Sequence, residues 1–343
     1  MNTTVKPVTP ESIAEAAKII REGGLVGMPT ETVYGLGADA LNPEAVRSIF
    51  AAKGRPADNP LIVHVSSLEE IAPLVREIPE GAKLLMEAFW PGPMTLILPK
   101  SERISDAVSA GLDTVGIRMP ASEAARALIR EAGRPIAAPS ANRSGKPSPT
   151  TAQHVFEDMD GRIPMILDGG ECEVGVESSV IDATGETPII LRPGGITPQM
   201  VEAVLGSCEV DEHVMSPLKE GELVRSPGMK HKHYSPEAKT VIYEGKAADV
   251  IAAIGAHYDD ALAKGERPCI LGFDEHDFGD RKTISLGSET QPREAAKRLF
   301  AALRALDERG ETVALCEAVE PTGIGLAVMN RMGRAAGFDV RRV

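Results

Sequence analysis

Four cations stand at the ends of apolar runs. Lys53 and Arg55 precede LIVHV (61–65), Arg118 lies in TVGIRM (114–119), and Arg192 closes PIILR (188–192). The whole chain carries a formal charge of −13, so it has no broad positive field, and any anion it binds must be met by a local cluster. A guanidinium beside Gly116 suits a carboxylate, which it grips bidentately. Lys53 and Arg55, two residues apart, suit the oxygens of a polyphosphate. Polar partners accompany them. Ser140 and Asn142, in PIAAPSANRSGKPSPT (135–150), also lie two apart, so an extended backbone aims their hydroxyl and amide the same way. Ser178 and Ser179 open the strand-like part of GVESSVID (175–182), and His64 falls on the opposite strand face from Leu61, Val63 and Val65.

Each of these residues also has a purely structural reading. Asn42 caps and Pro43 opens an expected helix, which puts Lys53 in the last turn, favourable for a cation, with Gly54 closing it. The 139–150 segment reads equally as a turn rich in Ser, Asn and Pro. Arg118 fits a structural salt bridge, and a strand histidine is often a satisfied structural group. Taken together, against the sign of the chain and in one domain, they point to a focused anion site for a polyphosphate and a carboxylate.

Several common chemistries are excluded. The chain has no GxxxxGK[ST], no HExxH and no GxSxG, and Gly323-Ile324-Gly325 lacks the third glycine of a dinucleotide loop. Its four cysteines, Cys172, Cys208, Cys269 and Cys316, form no CxxC pair, which argues against zinc and disulfides and for a reducing, cytoplasmic setting. The start, MNTTVKPVTPES, has no signal-peptide layout, and no apolar run approaches the ~18 residues of a membrane helix, so no membrane partner is expected.

The elements that must position these residues are legible from periodicity. Strands are expected at 25–28, 61–65, 94–98, 114–119, 135–138, 164–167, 179–182 and 188–192. Helices are expected at 43–52, 67–75, 80–89, 122–132, 150–158 and 197–205. The late strands crowd together without helices between them, which points to an α/β (α+β) fold on a mixed sheet. Periodicity fades after residue 206 and restarts near 240, with helices expected at 247–264, 292–309 and 323–336. The expected organisation is therefore a catalytic domain at 1–206, a linker at 207–238 and a small α/β domain at 239–343.

In order and spacing, PTETVYGLG (29–37), KGRPADNPLIVH (53–64), WPGPMTLIL (90–98), GLDTVGIRMP (111–120), PIAAPSANRSG (135–145), GVESSVID and LRPG (191–194) resemble the YrdC-like family of threonylcarbamoyl-adenylate synthases. SPGMKHKHYSP (226–236) and the domain after it resemble the two-domain form of that family. The resemblance implies a twisted open mixed sheet with a concave, positively charged cleft, followed by a small Rossmann-like domain. It implies that L-threonine, bicarbonate or CO2, and ATP give threonylcarbamoyl-adenylate and pyrophosphate, for modification of the adenosine beside the anticodon of certain tRNAs.

Carried over residue by residue, the resemblance makes Lys53 and Arg55 the catalytic cations on the nucleotide, with Asn59, Thr114, Ser140, Asn142, Ser148 and Arg192 as further ATP contacts. Thr32, His64, Arg118, Ser178 and the backbone of Ala138 match the threonine pocket, and Tyr234 a residue that folds over the nucleotide with the linker. Mg2+ is expected through the ATP phosphates rather than on protein side chains, with no organic cofactor. The implied partner is the downstream tRNA threonylcarbamoyl-transfer machinery, and contact with tRNA itself is weak if made at all. Ser179 stands where threonine is usual and His231 where an aromatic is common. Two rivals remain. A non-catalytic RNA-binding module is disfavoured by the −13 charge and 3% aromatic content. A carbamoyltransferase working through carbamoyl-adenylate lacks the zinc-type cysteine pairs of its accompanying domains.

Overall fold

In the computed structural model, which describes residues 2–216 and 234–343, the chain divides into two units. The first holds the described residues through Ser144 together with Ser148–Val214. The second holds Gly145–Pro147, Met215, Ser216 and the described residues from 234 onward.

The first unit is built on β1 (Thr4–Pro7), β2 (Val26–Met28), β3 (Gly35–Asp39), β4 (Ile62–His64), β5 (Met94–Pro99) and β6 (Thr114–Arg118). They are followed by β7 (Ile136–Ala137), β8 (Met165–Asp168), β9 (Ser179–Asp182), β10 (Ile189–Arg192) and β11 (Glu209–Val210). The eleven strands form one mixed sheet in the order β1-β8-β2-β3-β7-β4-β6-β5-β9-β10-β11. β4 runs parallel to β6 and antiparallel to β7, while β5 runs antiparallel to β6 and parallel to β9. Val63, Leu96 and Ile117 point into one apolar cluster, with Ile49 and Phe50 of the helix α2 (Pro43–Lys53). A second cluster packs the helix α1 (Pro10–Arg21) and the helix Glu123–Ala132 onto Val26, Met28 and Leu167. Pleat alternation then leaves His64 and Arg118 on the strand faces opposite Val63 and Ile117.

Helix α2 forms as its caps dictate: Asn42 Oδ1 accepts from the amides of Glu44 and Ala45 at 3.0 and 3.3 Å, and Gly54 ends it at φ 61°. The helix expected at 67–75 is instead one 3-10 turn, Leu68–Glu70. Pro73 has no amide to donate, and the Glu70 carboxylate turns back to accept from the amide and hydroxyl of Ser66 at 2.8 and 2.6 Å. No element was expected before Gly24, yet β1 and α1 are there. The capping box of α1 joins Thr9 to a serine, Ser12, rather than to the usual Glu or Gln. β3 also escapes a propensity reading. Its sequence is GLGAD, and a Cβ on Gly37 would fall 2.9 Å from the Ile136 side chain, so close strand approach selects glycine there.

The second unit is a five-stranded sheet of β12 (Lys239–Glu244), β13 (Pro268–Gly272), β14 (Thr283–Ser285), β15 (Val313–Glu317) and β16 (Val340–Arg342), in the order β14-β13-β15-β12-β16. Every pairing is parallel. Parallel strands need crossovers, supplied by helices at Ala247–Ala263, Pro292–Glu308 and Gly325–Ala335. No helix among the described residues is long and apolar enough to cross a membrane.

Candidate functional site

Lys53 closes α2 with only 3% of its surface exposed, and its ammonium does more than complement the helix end. Nζ donates to the Ser140 carbonyl and, at 2.5 Å, to the Asn142 carbonyl. The Ser144 amide returns a bond to the Lys53 carbonyl at 2.9 Å. One buried cation therefore ties the helix end to the 140–144 loop. Within that loop Ser140 Oγ donates to Asn142 Oδ1 at 2.6 Å, so the two polar side chains do meet. Lys53 thus sits in the expected last turn but is interior, and its removal carries a structural cost as well as a loss of charge. Arg55, half-buried, reaches the Asn59 carbonyl through Nη2 at 3.4 Å.

Arg118 stands opposite His64 in the parallel register of β4 and β6, so both side chains share a sheet face. Its Nη2 donates to Glu31 Oε1 at 2.6 Å, with side chains 5% and 7% exposed. The salt-bridge reading of Arg118 is thus met, by a partner that sequence reasoning missed. Burial opposes ionisation of Glu31 most strongly, yet the charge and hydrogen bond of Arg118 hold its carboxyl below the ordinary range. His64 is almost wholly enclosed; burial first, then the positive charge of Arg118, lowers its pKa to about 3 and keeps the ring neutral.

What remains open in this cluster is informative. Arg118 Nε, His64 Nδ1 and both amide atoms of Asn59 are buried without a hydrogen-bond partner. Buried polar groups are normally satisfied, and leaving one unpaired costs about 1–3 kcal/mol. His64 and Arg118, read from the residues, and Asn59, named by the resemblance, thus carry unmet polar atoms of the kind a polar ligand would satisfy.

The PTETVYG segment links these groups. Thr32 is fully buried, and its hydroxyl meets that of Thr30 at 2.9 Å. The Tyr34 amide donates to the Pro149 carbonyl at 2.9 Å, the Ala141 amide to the Tyr34 carbonyl at 2.8 Å, and the Val174 amide to the Glu31 carbonyl at 2.8 Å. Ala138 is fixed by its amide on the Ile62 carbonyl at 2.9 Å. On the far side, Ser178 Oγ pairs with Thr95 Oγ1 at 2.8 Å, and Arg192 closes on Ser178 through Nε and Nη2 to the carbonyl, at 3.1 and 3.0 Å. Ser148 Oγ donates to buried Glu177 Oε1 at 2.5 Å, the residue before Ser178.

Not every expected residue joins this network. Thr114 opens the strand that Arg118 closes, about 13 Å away at roughly 3.3 Å per residue, and borders a small cavity with Pro60, Ile62 and Gly116. Tyr234 belongs to the second unit, where its ring lies 5.2 Å from that of Phe300 and 6.0 Å from the Arg331 guanidinium, at φ 61°. Lys230, His231, Lys232 and His233 lie outside the described residues. A cavity of about 360 Å3 beside Glu31 and Ser122 is lined by Glu123, Glu171 and Glu173 as well, so its sign does not suit an anion. Glu31, Thr95 and Glu177 have no local signal in the sequence: in an acidic chain a glutamate or a strand threonine is ordinary. Only the folded contacts show which of them face the site.

Two family models match the chain. The Sua5, YciO and YrdC model, described as "Telomere recombination", covers residues 18–194, and one described as "Threonylcarbamoyl-AMP synthase, C-terminal domain" covers 196–337. The threonylcarbamoyl-AMP synthase of Pyrococcus abyssi is 48% identical, over 96% of this chain and 95% of its own. That of Bacillus subtilis is 47% identical over 96% and 94%. A crystal structure of P. abyssi Sua5 complexed with L-threonine superposes with a TM-score of 0.93 at 47% identity, covering 100% of this chain and 99% of that one.

Proposed function

The chain belongs to the Sua5, YciO and YrdC family, and we propose that it is a threonylcarbamoyl-AMP synthase that condenses L-threonine, CO2 or bicarbonate, and ATP. The observation that carries this reading is the enclosed set of unmet polar atoms on Asn59, His64 and Arg118, beside a loop anchored by a buried lysine. Arg118, already half-engaged by Glu31, offers its Nε edge to the threonine carboxylate. Neutral His64, Thr32, Ser178 and the Ala138 backbone receive the amine and hydroxyl side of the amino acid. Lys53, Arg55, Ser140, Asn142, Ser148, Asn59, Thr114 and Arg192 hold the nucleotide in a positively charged cleft.

The chemistry needs little from the protein beyond positioning and charge. Threonine's neutral amine adds to CO2, forming an N–C bond and releasing a proton. A carbamate oxygen then attacks the α-phosphorus, the new O–P bond forms, and the bond to the pyrophosphate oxygen breaks. Both reacting groups are anionic, so fixed cations at Lys53, Arg55 and Arg192 lower the barrier by offsetting charge that crowds together on approach. Among the described residues no His/Cys/Asp/Glu group could hold a metal ion, and the donors around the site suit phosphate oxygens. Mg2+ carried on those phosphates supplies further charge neutralisation. The product, a labile mixed anhydride, passes to the machinery that modifies tRNA. Four free cysteines support a reducing, cytoplasmic setting. The first unit through Val214 serves as the catalytic domain, its boundary lying past β11 rather than at the expected 206; Tyr234 as a contact of the nucleotide and the small sheet domain from Lys239 complete the proposal.

Mass spectrometry of a reaction holding ATP, bicarbonate and threonine tests it directly. Threonylcarbamoyl-AMP with stoichiometric pyrophosphate is expected. Carbamoyl-AMP from carbamoyl phosphate, or RNA binding with no pyrophosphate release, would establish one of the two rivals instead.

A further inference from the structure

The second unit carries a cavity that the threonine chemistry does not use. Its volume is about 640 Å3, and small-molecule sites occupy roughly 300–1,000 Å3. It lies past the carboxyl ends of β12, β13 and β15, bordered by Glu244, Phe273 and Glu317. The connections leaving β12 and β13 run towards the β14 edge, whereas the one leaving β15, which lies between them in the sheet, runs to β16 at the other edge, so the winding reverses around β15. Open parallel sheets bind ligands at such a reversal, outside the carboxyl ends of their strands.

The fold keeps a carboxylate there against its desolvation cost. Glu317 ends β15 with 3% of its side chain exposed. Its Oε2 accepts from the Phe273 amide at 2.7 Å, and its Oε1 meets His276 Nδ1 at 2.6 Å. A Cβ on Gly272 would sit 2.9 Å from that Oε2 and 2.7 Å from the Phe278 ring, so glycine in β13 leaves the carboxylate its space. Burial, the largest influence, raises the Glu317 carboxyl above the usual range. A well-packed apolar pair would serve a core at least as well as this buried polar one, so the pair needs another reason. His276 Nε2 extends the chain of groups to Glu289, 3.6 Å away at the rim.

The balance of charge selects the occupant. Four carboxylates line the cavity, Glu244, Glu289, Glu317 and Glu320, against Arg342, which already pairs with Glu244 at 3.1 Å, and His276. No group of His, Cys, Asp or Glu among the described residues could hold a metal ion, and Val250, Phe273 and Val319 supply an apolar wall. We infer that this cavity binds a small organic ammonium compound, its cationic nitrogen against Glu317 and Glu289 and its apolar body against Phe273, Val250 and Val319.

Isothermal titration of the full chain with phenethylammonium, and with phenylacetate as its anionic counterpart, tests the inference. Phenethylammonium should bind and phenylacetate should not. Glu317→Gln should weaken phenethylammonium by about tenfold or more, and the rim variant Glu289→Gln by a few-fold, as expected when charge-assisted contacts are lost. Glu289 is 55% exposed in its side chain, so its variant folds even if Glu317→Gln does not, and it then decides alone. Absence of phenethylammonium binding at millimolar concentration would overturn the inference. So would equal binding of phenylacetate, or affinity untouched by the variants.

Discussion

Replacing Arg118 by leucine separates the two tasks that the Arg118–Glu31 pair performs. The Glu31 side chain is 7% exposed, and without Arg118 its carboxylate keeps only backbone amides such as that of Ser122 at 3.3 Å. A buried carboxylate deprived of its cation costs about 3–5 kcal/mol. Arg118→Leu should therefore lower unfolding free energy by roughly that amount. Glu31→Leu alone strands Arg118 at a similar cost, but in the double variant no uncompensated charge is left, so it should return to within about 1 kcal/mol of the parent, far less than the sum of the two single losses. Threonine binding should not return with it. The two N–H bonds Arg118 offers a carboxylate are worth roughly 1.5–3 kcal/mol each, so affinity should fall by at least about 100-fold in both variants.

Urea unfolding of the four proteins of the cycle, with threonine titration of each, reads both quantities. pH adds an independent check. The folded Glu31 carboxyl lies below its ordinary 4.5, so its contribution is present above that pH and lost as pH falls through the folded value. The double variant should lack this acid-sensitive component. Additive stabilities would refute the buried-pair argument, and near-parental threonine affinity in the double variant would remove Arg118 from the carboxylate site.

Lys53→Ala should abolish pyrophosphate release and also lower the melting temperature, because Nζ holds the Ser140 and Asn142 carbonyls; calorimetry with a pyrophosphate assay reports both. Unchanged melting would contradict that anchoring role. His64 is depressed to about 3, so between pH 6.5 and 3 the unfolded chain binds a proton the folded one does not, and stability should rise with pH by at most about 1.4 kcal/mol per unit. His64→Gln should flatten that slope in pH-dependent unfolding. Valine should turn over at least about 100-fold more slowly than threonine, since it leaves the hydroxyl partners unmet, whereas serine should lose only about 1 kcal/mol for its missing methyl. Equal kcat/KM for valine would sink the pocket assignment. A chain ending after Val214 should fold yet lose most activity; one ending at Leu205 forfeits β11, which pairs with β10, and the buried Val214, and should melt lower by calorimetry.

Local patterns in the sequence determined a good deal. Asn42, Pro43 and Gly54 fixed both ends of α2 through backbone capping that needs no distant partner. The strands carrying His64, Arg118 and Arg192 followed from apolar alternation. The motifs from PTETVYGLG to LRPG carried the family resemblance by themselves. What pattern could not supply was pairing between residues far apart. β1 and α1 depend on β8 and the helix Glu123–Ala132 for their burial, and glycine-rich β3 depends on its neighbours' approach. The 67–75 segment lost its helix to Pro73 and to Glu70 bonding back to Ser66. Glu31 and Arg118 stand 87 positions apart, as do Lys53 and the Ser140 carbonyl it holds. Periodicity reports which face of an element is apolar, a property of neighbours in sequence. Which charge meets which across a sheet is set by strand order and register, and those exist only once the chain has folded.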